Sequence, residues 1–167
     1  MDSGQLTVDR GGGTVVRTYE PRDAEAVWEL HWEGLHDTGS IIVPSQSAWD
    51  DDVRKVEEHY LGEGSHFWVV DEAGRIIGMA AIHRLGPGAA ELKRMRVAAD
   101  RRRRGLGQHL LELAEQFCRA QGYKRIVLDT TDRMEAARRL YEKNGYALSH
   151  EMPLADRRIY YYAKELV

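Results

Sequence analysis

The stretch Glu91–Gln108, Glu-Leu-Lys-Arg-Met-Arg-Val-Ala-Ala-Asp-Arg-Arg-Arg-Arg-Gly-Leu-Gly-Gln, constrains this chain more than any other. It predicts a strand, a short basic turn and the first turn of a helix. Apolar positions change phase along the strand: Ala90 and Leu92 are even, Met95 and Val97 odd. Side chains of a regular strand alternate faces, so the switch predicts one extra residue, a β-bulge, near Lys93–Arg94. A bulge splays the strand from its neighbour and leaves backbone groups free to bond a ligand. Four arginines follow, then Gly105-Leu106-Gly107 at the head of an apolar-periodic helix. Glycines there let a ligand approach the backbone, and the unbonded amides, together with the helix dipole, suit a phosphate.

The rest of the chain is organised around this unit. At 167 residues it is long enough for one domain with a substantial core. Residues 1–13, ending in three glycines, are expected as a loose tail without the apolar core of a signal peptide, and residues 14–167 as the domain. No stretch approaches the roughly 20 apolar residues of a membrane span. The single cysteine, Cys118, fits a reducing cytoplasm, and the seven histidines show no paired zinc spacing, so no metal is expected. Net charge is only −3 but uneven. Glu20–Glu63 holds twelve acidic and three basic residues, Glu91–Arg125 ten basic and four acidic. The basic part suits a polyphosphate and the acidic part a cationic partner such as an amine.

In chain order, Thr14–Tyr19 predicts a strand. Pro21 opens a helix with Val27, Trp28 and His31 on one face, and Glu33–Ser47 is irregular. A second helix covers Ala48–Tyr60, with three aspartates in its first turn. His66–Asp71 and Arg75–His83 form a hairpin that turns through Gly86-Pro87-Gly88 into the organising strand. The helix from Gly105 stops at Gly122. Arg125–Thr130 reads as a strand buried on both faces, and Asp132 with Glu135 as a capping box for the next helix. Tyr146–His150 and Arg157–Glu165 close the chain as a strand pair around Pro153. The sum is an α/β sandwich, with a mixed, mostly antiparallel sheet of about seven strands and helices on both faces.

Arg102-Arg103-Arg104-Gly105-Leu106-Gly107 resembles the Arg/Gln-x-x-Gly-x-Gly/Ala signature of the GNAT superfamily of N-acetyltransferases. The resemblance continues in Met134-x-x-Ala137-x-x-Leu140-Tyr141-x-x-x-Gly145-Tyr146, where the family carries Asn in place of Met134. It covers about Thr14–Val167 and is weakest between Glu33 and Tyr60. It implies the GNAT fold, with a splayed central strand pair, and acetyl-CoA as acetyl donor. The donor would lie along Met95, Arg96 and Val97, over Arg102, Arg103, Arg104, Gly105, Leu106, Gly107 and Gln108, and beside Ala137 and Tyr141. The activity it implies is direct acetyl transfer to a small-molecule or peptide amine within a ternary complex.

Such transfer needs a base for the ammonium, a donor for the oxyanion and an acid for the departing thiolate. The resemblance implies Tyr141 as the acid, a phenol with an ordinary pKa near 10, and Glu91, six residues before Val97, as the base. A backbone N–H near Val97 suits the oxyanion. Trp32, Glu33, Asp37 and Trp49 fall where the family builds its acceptor pocket. The runner-up is a non-catalytic acyl-CoA sensor on the same fold. The four arginines lack interleaved aromatics in an acidic protein, which argues against nucleic acid. No Gly-Lys-Ser/Thr follows a glycine loop, and Leu110 stands where a dinucleotide fingerprint needs glycine. Cys118 beside Phe117 reads as core. A monomer or homodimer is expected, Tyr160–Tyr162 offering a dimer edge.

Overall fold

The computed structural model describes residues 13–39 and 50–167, together with the backbone of residues 6–7. Trp49 and most of the expected tail lie outside the described residues. The elements are β1 (Leu6–Thr7), β2 (Thr14–Thr18), α1 (Ala24–Asp37), α2 (Asp51–Arg54), α3 (Val56–Tyr60), β3 (His66–Glu72) and β4 (Arg75–Gly86). There follow β5 (Ala89–Val97), α4 (Leu106–Ala120), β6 (Arg125–Thr131), α5 (Glu135–Lys143), β7 (Ala147–Leu154) and β8 (Arg157–Glu165). One sheet runs β1-β2-β3-β4-β5-β6-β8-β7, and β1 is only a two-residue edge piece. Every neighbouring pair is antiparallel except β5–β6, which is parallel.

The core forms because the central strands are apolar on both faces and helices cover both. Phe67–Val70 of β3 and Ile77–Ile82 of β4 are buried without interruption. The stripe Leu110, Leu111, Ala114 and Cys118 on α4 is fully buried against them. Each leucine or isoleucine so buried stabilises the fold by roughly 1.5–3 kcal/mol.

The sheet parts in the middle. β5 and β6 pair only through Ala89–Glu91 and Arg125–Val127. Beyond that, β6 follows β8 while β5 stays with β4. The expected bulge sits at the parting: Met79 pairs with Arg96 and Ala81 with Lys93, two steps on β4 against three on β5. Arg94 takes up the extra residue at φ 56°, a left-handed conformation that a side chain seldom adopts.

Several expectations are corrected. α1 runs to Asp37, so Glu33–Asp37 is helical rather than irregular. The single helix over Ala48–Tyr60 is two short helices broken at Lys55, whose φ −129° and ψ 50° leave the helical region. β6 is not buried on both faces: Ile126, Leu128 and Thr130 are buried, but Asp129 opens into the enclosed cavity left by the departure of β5. The capping box does not form. Met134 is the N-cap of α5, and the Asp132 carboxylate accepts from the Arg158 backbone N–H instead. Pro153 lies inside β7 rather than in the turn, tolerated because β7 is the sheet edge and needs no ladder donor there.

Candidate active site

Two hollows meet at the parted strands. A groove of about 650 Å³ runs under the glycine loop and along β5, and a cavity of about 470 Å³ lies between β5, β6 and the β7–β8 end. Both volumes are typical of small-molecule sites. Thr38, Met95, Arg96 and Met134 line both, so the two hollows share one wall.

The groove contains most of the residues expected around a CoA thioester. Met95, Arg96, Val97, Arg102, Arg103, Gly105, Leu106, Gly107, Gln108 and Ala137 all line it, whereas Arg104 does not and Tyr141 lines the neighbouring cavity. Gly105 is the N-cap of α4 at φ 80°, and a Cβ there would meet nothing within 4 Å. No side chain caps the helix, and its first intrahelical bond is His109 N–H to Gly105 O. The preceding amides of Leu106, Gly107 and Gln108 therefore have no helical acceptor. An uncapped helix start with open approach and basic neighbours fits a pyrophosphate, and these residues would hold it. The Gln108 side chain is engaged elsewhere, exchanging two hydrogen bonds of 2.8 Å with Asn144 that tie α4 to α5.

Backbone geometry at the end of β5 supplies a further donor. Ala98 N–H bonds Ile77 O at 2.8 Å, on the β4 side. Alternation along a strand then turns the Val97 N–H the other way, toward the edge that β6 has left. Val97 O points there too, accepting from Arg102 Nε at 3.3 Å.

Tyr141, from α5, is 6 % exposed and lines the cavity. Burial raises its pKa above the ordinary phenol value, against an opposing pull from Arg96, so the hydroxyl keeps its proton at neutral pH. Glu91 sits at the last β5–β6 pair before the strands part, with Lys93 Nζ at 3.7 Å. Burial raises its pKa, and the nearby Asp129 reinforces the shift against Lys93. Glu91 does not line the cavity, but Asp129 does, and burial raises its carboxyl as well. Sequence reasoning missed Asp129; an acid closing the apolar run Ile126-Val127-Leu128 is the signal that marks it.

A buried polar network backs the bulge. Arg94 grips Asp52 through Nε–Oδ2 at 2.9 Å and Nη2–Oδ1 at 2.6 Å, with Asp50 at 3.6 Å. Burial works against the Asp52 charge, but Arg94 outweighs it and holds the carboxyl below its usual range; Tyr60 donates to the same carboxylate. His31, fully buried, shares a 2.9 Å hydrogen bond with Asp50 through Nε2 and accepts from Arg96 Nε at Nδ1. Burial, with Arg96 and Arg94, pulls its pKa to about 4, so it is neutral at pH 7. Arg96 is itself drawn down to about 10 by burial and by Arg94. It fits against α1 because Gly34 has no side chain: a Cβ there would sit 2.5 Å from Arg96 Nη1.

The residues expected at the acceptor are dispersed. Glu33 and Asp37 line the groove under the glycine loop instead, Asp37 paired with Arg102 at 3.2 Å. Trp32 is 41 % exposed, packed between Trp28 and His36 and lining neither hollow. Arg101 is engaged by Glu72 at 2.9 Å. Cys118 is fully buried, and burial pushes its thiol up to about 12, which leaves it unreactive.

Known proteins resemble this chain in sequence and in fold. The acetyltransferase (GNAT) family profile matches residues 24–146. An uncharacterised N-acetyltransferase of Schizosaccharomyces pombe is 39 % identical over 127 residues, covering 75 % of this chain and 77 % of its own. Human N-acetyltransferase 8 is 31 % identical over 101 residues, 57 % of this chain and 44 % of its own, so the match spans less than half of that relative. A GNAT-family acetyltransferase from Staphylococcus aureus Mu50 shares the fold with a TM-score of 0.80 at 23 % identity, over 92 % of this chain and 99 % of that one. The splayed strands, the glycine loop and the match across most of its length agree: this chain belongs to the GNAT acetyltransferase family.

Proposed function

We propose that this acyltransferase moves an acetyl group from acetyl-CoA to a primary amine by direct attack in a ternary complex. The observation that carries this reading is the shared wall: the groove and the cavity meet across Met95, Arg96 and Met134 at the parted strands. A donor thioester and an amine bound on either side would face one another there without a covalent enzyme intermediate. Cys118, the only cysteine, is buried away from this point, which agrees with direct transfer.

The loop amides of Leu106, Gly107 and Gln108, with Arg102 and Arg103, hold the donor's phosphates. The carboxyl pair takes the proton that the ammonium must lose, Asp129 from the cavity wall and Glu91 through water. Their raised pKa values make them better proton acceptors than an ordinary carboxylate would be. The amine nitrogen then bonds to the thioester carbon, and the Val97 N–H donates to the resulting oxyanion. As the C–S bond breaks, the sulfur keeps the electron pair and takes the Tyr141 proton, and the phenolate recovers a proton from the acylated nitrogen, which becomes the neutral amide. In the family, Asn stands where this chain has Met134; here the N-cap of α5 offers a thioether to the shared wall.

Tyr141→Phe tests this account. Removing a general acid lowers turnover by about 10²–10⁴-fold, while acetyl-CoA affinity, measured by calorimetry, should stay within about twofold. A protein that binds acetyl-CoA but releases no CoA thiol with any amine would favour the non-catalytic sensor.

A further inference from the structure

We propose that the acceptor carries a carboxylate beside its amine, as free amino acids do, and that Arg157 on β8 and Arg96 on β5 hold it. This rests on the acetyl-transfer reading for the amine's fate, but its geometric support is independent of it.

The cavity is lined by four cations, Lys93, Arg94, Arg96 and Arg157, against two acids, Asp50 and Asp129. Two of the cations have partners: Arg94 is clamped by Asp52, and Lys93 lies beside Glu91. Arg157 is only partly served, its one ion pair among the described residues being a shared one. Its side chain is only 5 % exposed, Nη2 donates to Gly39 O at 3.2 Å, and Nε has no hydrogen-bond partner among the described residues. The nearest carboxylate, Asp156, stands 3.5 Å from Nε and is already held by Arg133 at 2.5 Å. Arg96, half-buried, makes no ion pair among the described residues; its bond to His31 is 3.3 Å long, to a neutral acceptor. Thr130 and Thr131 on the same wall have buried hydroxyls that likewise lack partners among the described residues.

A buried guanidinium with an unmade hydrogen bond is costly, and its planar fork matches a carboxylate with two parallel hydrogen bonds. A simple cationic amine would leave Arg96 and the open Nε of Arg157 without a complement. An amino acid brings both complements, its carboxylate for Arg157 and Arg96 and its ammonium for Asp129 at the strand parting. The acidic segment Glu20–Glu63, which suggested a cationic partner, contributes one acid to this wall among the described residues, Asp50, and His31 and Arg94 already engage it.

The test is calorimetry on the CoA-loaded protein with the common L-amino acids, β-alanine and γ-aminobutyrate, each against its own carboxamide. At least one acid should bind about 10-fold or more tightly than its amide, the difference a charge-assisted hydrogen bond makes. Arg157→Gln should abolish that preference, Arg157→Lys should restore part of it, and acetyl-CoA affinity should be unchanged in both. Amides that bind as well as acids, no binding by any acid, or a preference that survives Arg157→Gln would overturn the proposal. If Arg157→Gln does not fold, the acid–amide comparison on the unaltered protein decides alone. Acid preference without CoA release would sink the acetyl-transfer reading and leave the carboxylate site standing, so the two failures are distinguishable.

Discussion

Asp52→Asn breaks the clamp behind the bulge and should cost far more than a surface charge change. The Arg94–Asp52 pair is bidentate, with side chains 15 % and 11 % exposed. Removing one partner of a buried pair costs about 3–5 kcal/mol because the other charge is left uncompensated. Asparagine keeps an acceptor oxygen for Tyr60 or Arg94, which places this case near the lower end, about 3 kcal/mol. At roughly 2–4 °C per kcal/mol for a domain of this size, Tm should fall by about 6–12 °C. Urea unfolding at pH 7 on Asp52→Asn, Arg94→Met and the double variant measures it. The double variant should lose about 2 kcal/mol less than the sum of the two singles. A loss below about 1 kcal/mol for Asp52→Asn, or two losses that simply add, would refute the clamp.

Other consequences can be measured separately. The unfolded chain protonates His31 near pH 6.5 and the folded chain only at about 4, so its contribution is present above pH 6.5 and is lost as pH falls through that window. That loss amounts to about 3 kcal/mol. Glu91 and Asp129, with raised values, act in the opposite sense, so the reading is the difference in urea stability between the unaltered protein and His31→Gln at pH 7 and 4.5. Gly105→Ala forces a side chain to φ 80° and should cost roughly 1–2 kcal/mol of stability. Because the space around it is open, the larger effect should be weaker acetyl-CoA binding by calorimetry, the methyl standing where the phosphates approach. Gly34→Ala should change stability little, since alanine's helix preference of about 1 kcal/mol offsets the crowding. It should still raise the acceptor KM in a CoA-release assay by displacing Arg96.

The parts of this site that are legible in the sequence are those fixed by local rules. The phase change between Leu92 and Met95 announces the bulge, and Gly105-Leu106-Gly107 announces the uncapped helix start, because one is a matter of strand period and the other of backbone conformation. What is not legible depends on pairing across the fold. Asp129 looks like part of a strand buried on both faces unless β5 is known to leave after Glu91. Arg157 opens a closing strand with no local mark of a site, and only the turn of β8 back along β6 brings it to the cavity. Trp32, Glu33 and Asp37 are suggested by position in the chain alone. Helical spacing turns Trp32 outward and the two acids toward the donor groove. The break at Lys55 is equally invisible, since its neighbours are ordinary helix formers and the clamp on Asp52 comes from Arg94, 42 positions away.

The most direct test of the central claim is release of CoA thiol from acetyl-CoA by the purified protein across a panel of amines and amino acids, alongside acetyl-CoA calorimetry. The account predicts binding of acetyl-CoA and amine-dependent release that Tyr141→Phe suppresses. Failure of acetyl-CoA to bind at all would contradict the assignment of the groove under Gly105–Gln108, and the mechanism built on it would fall.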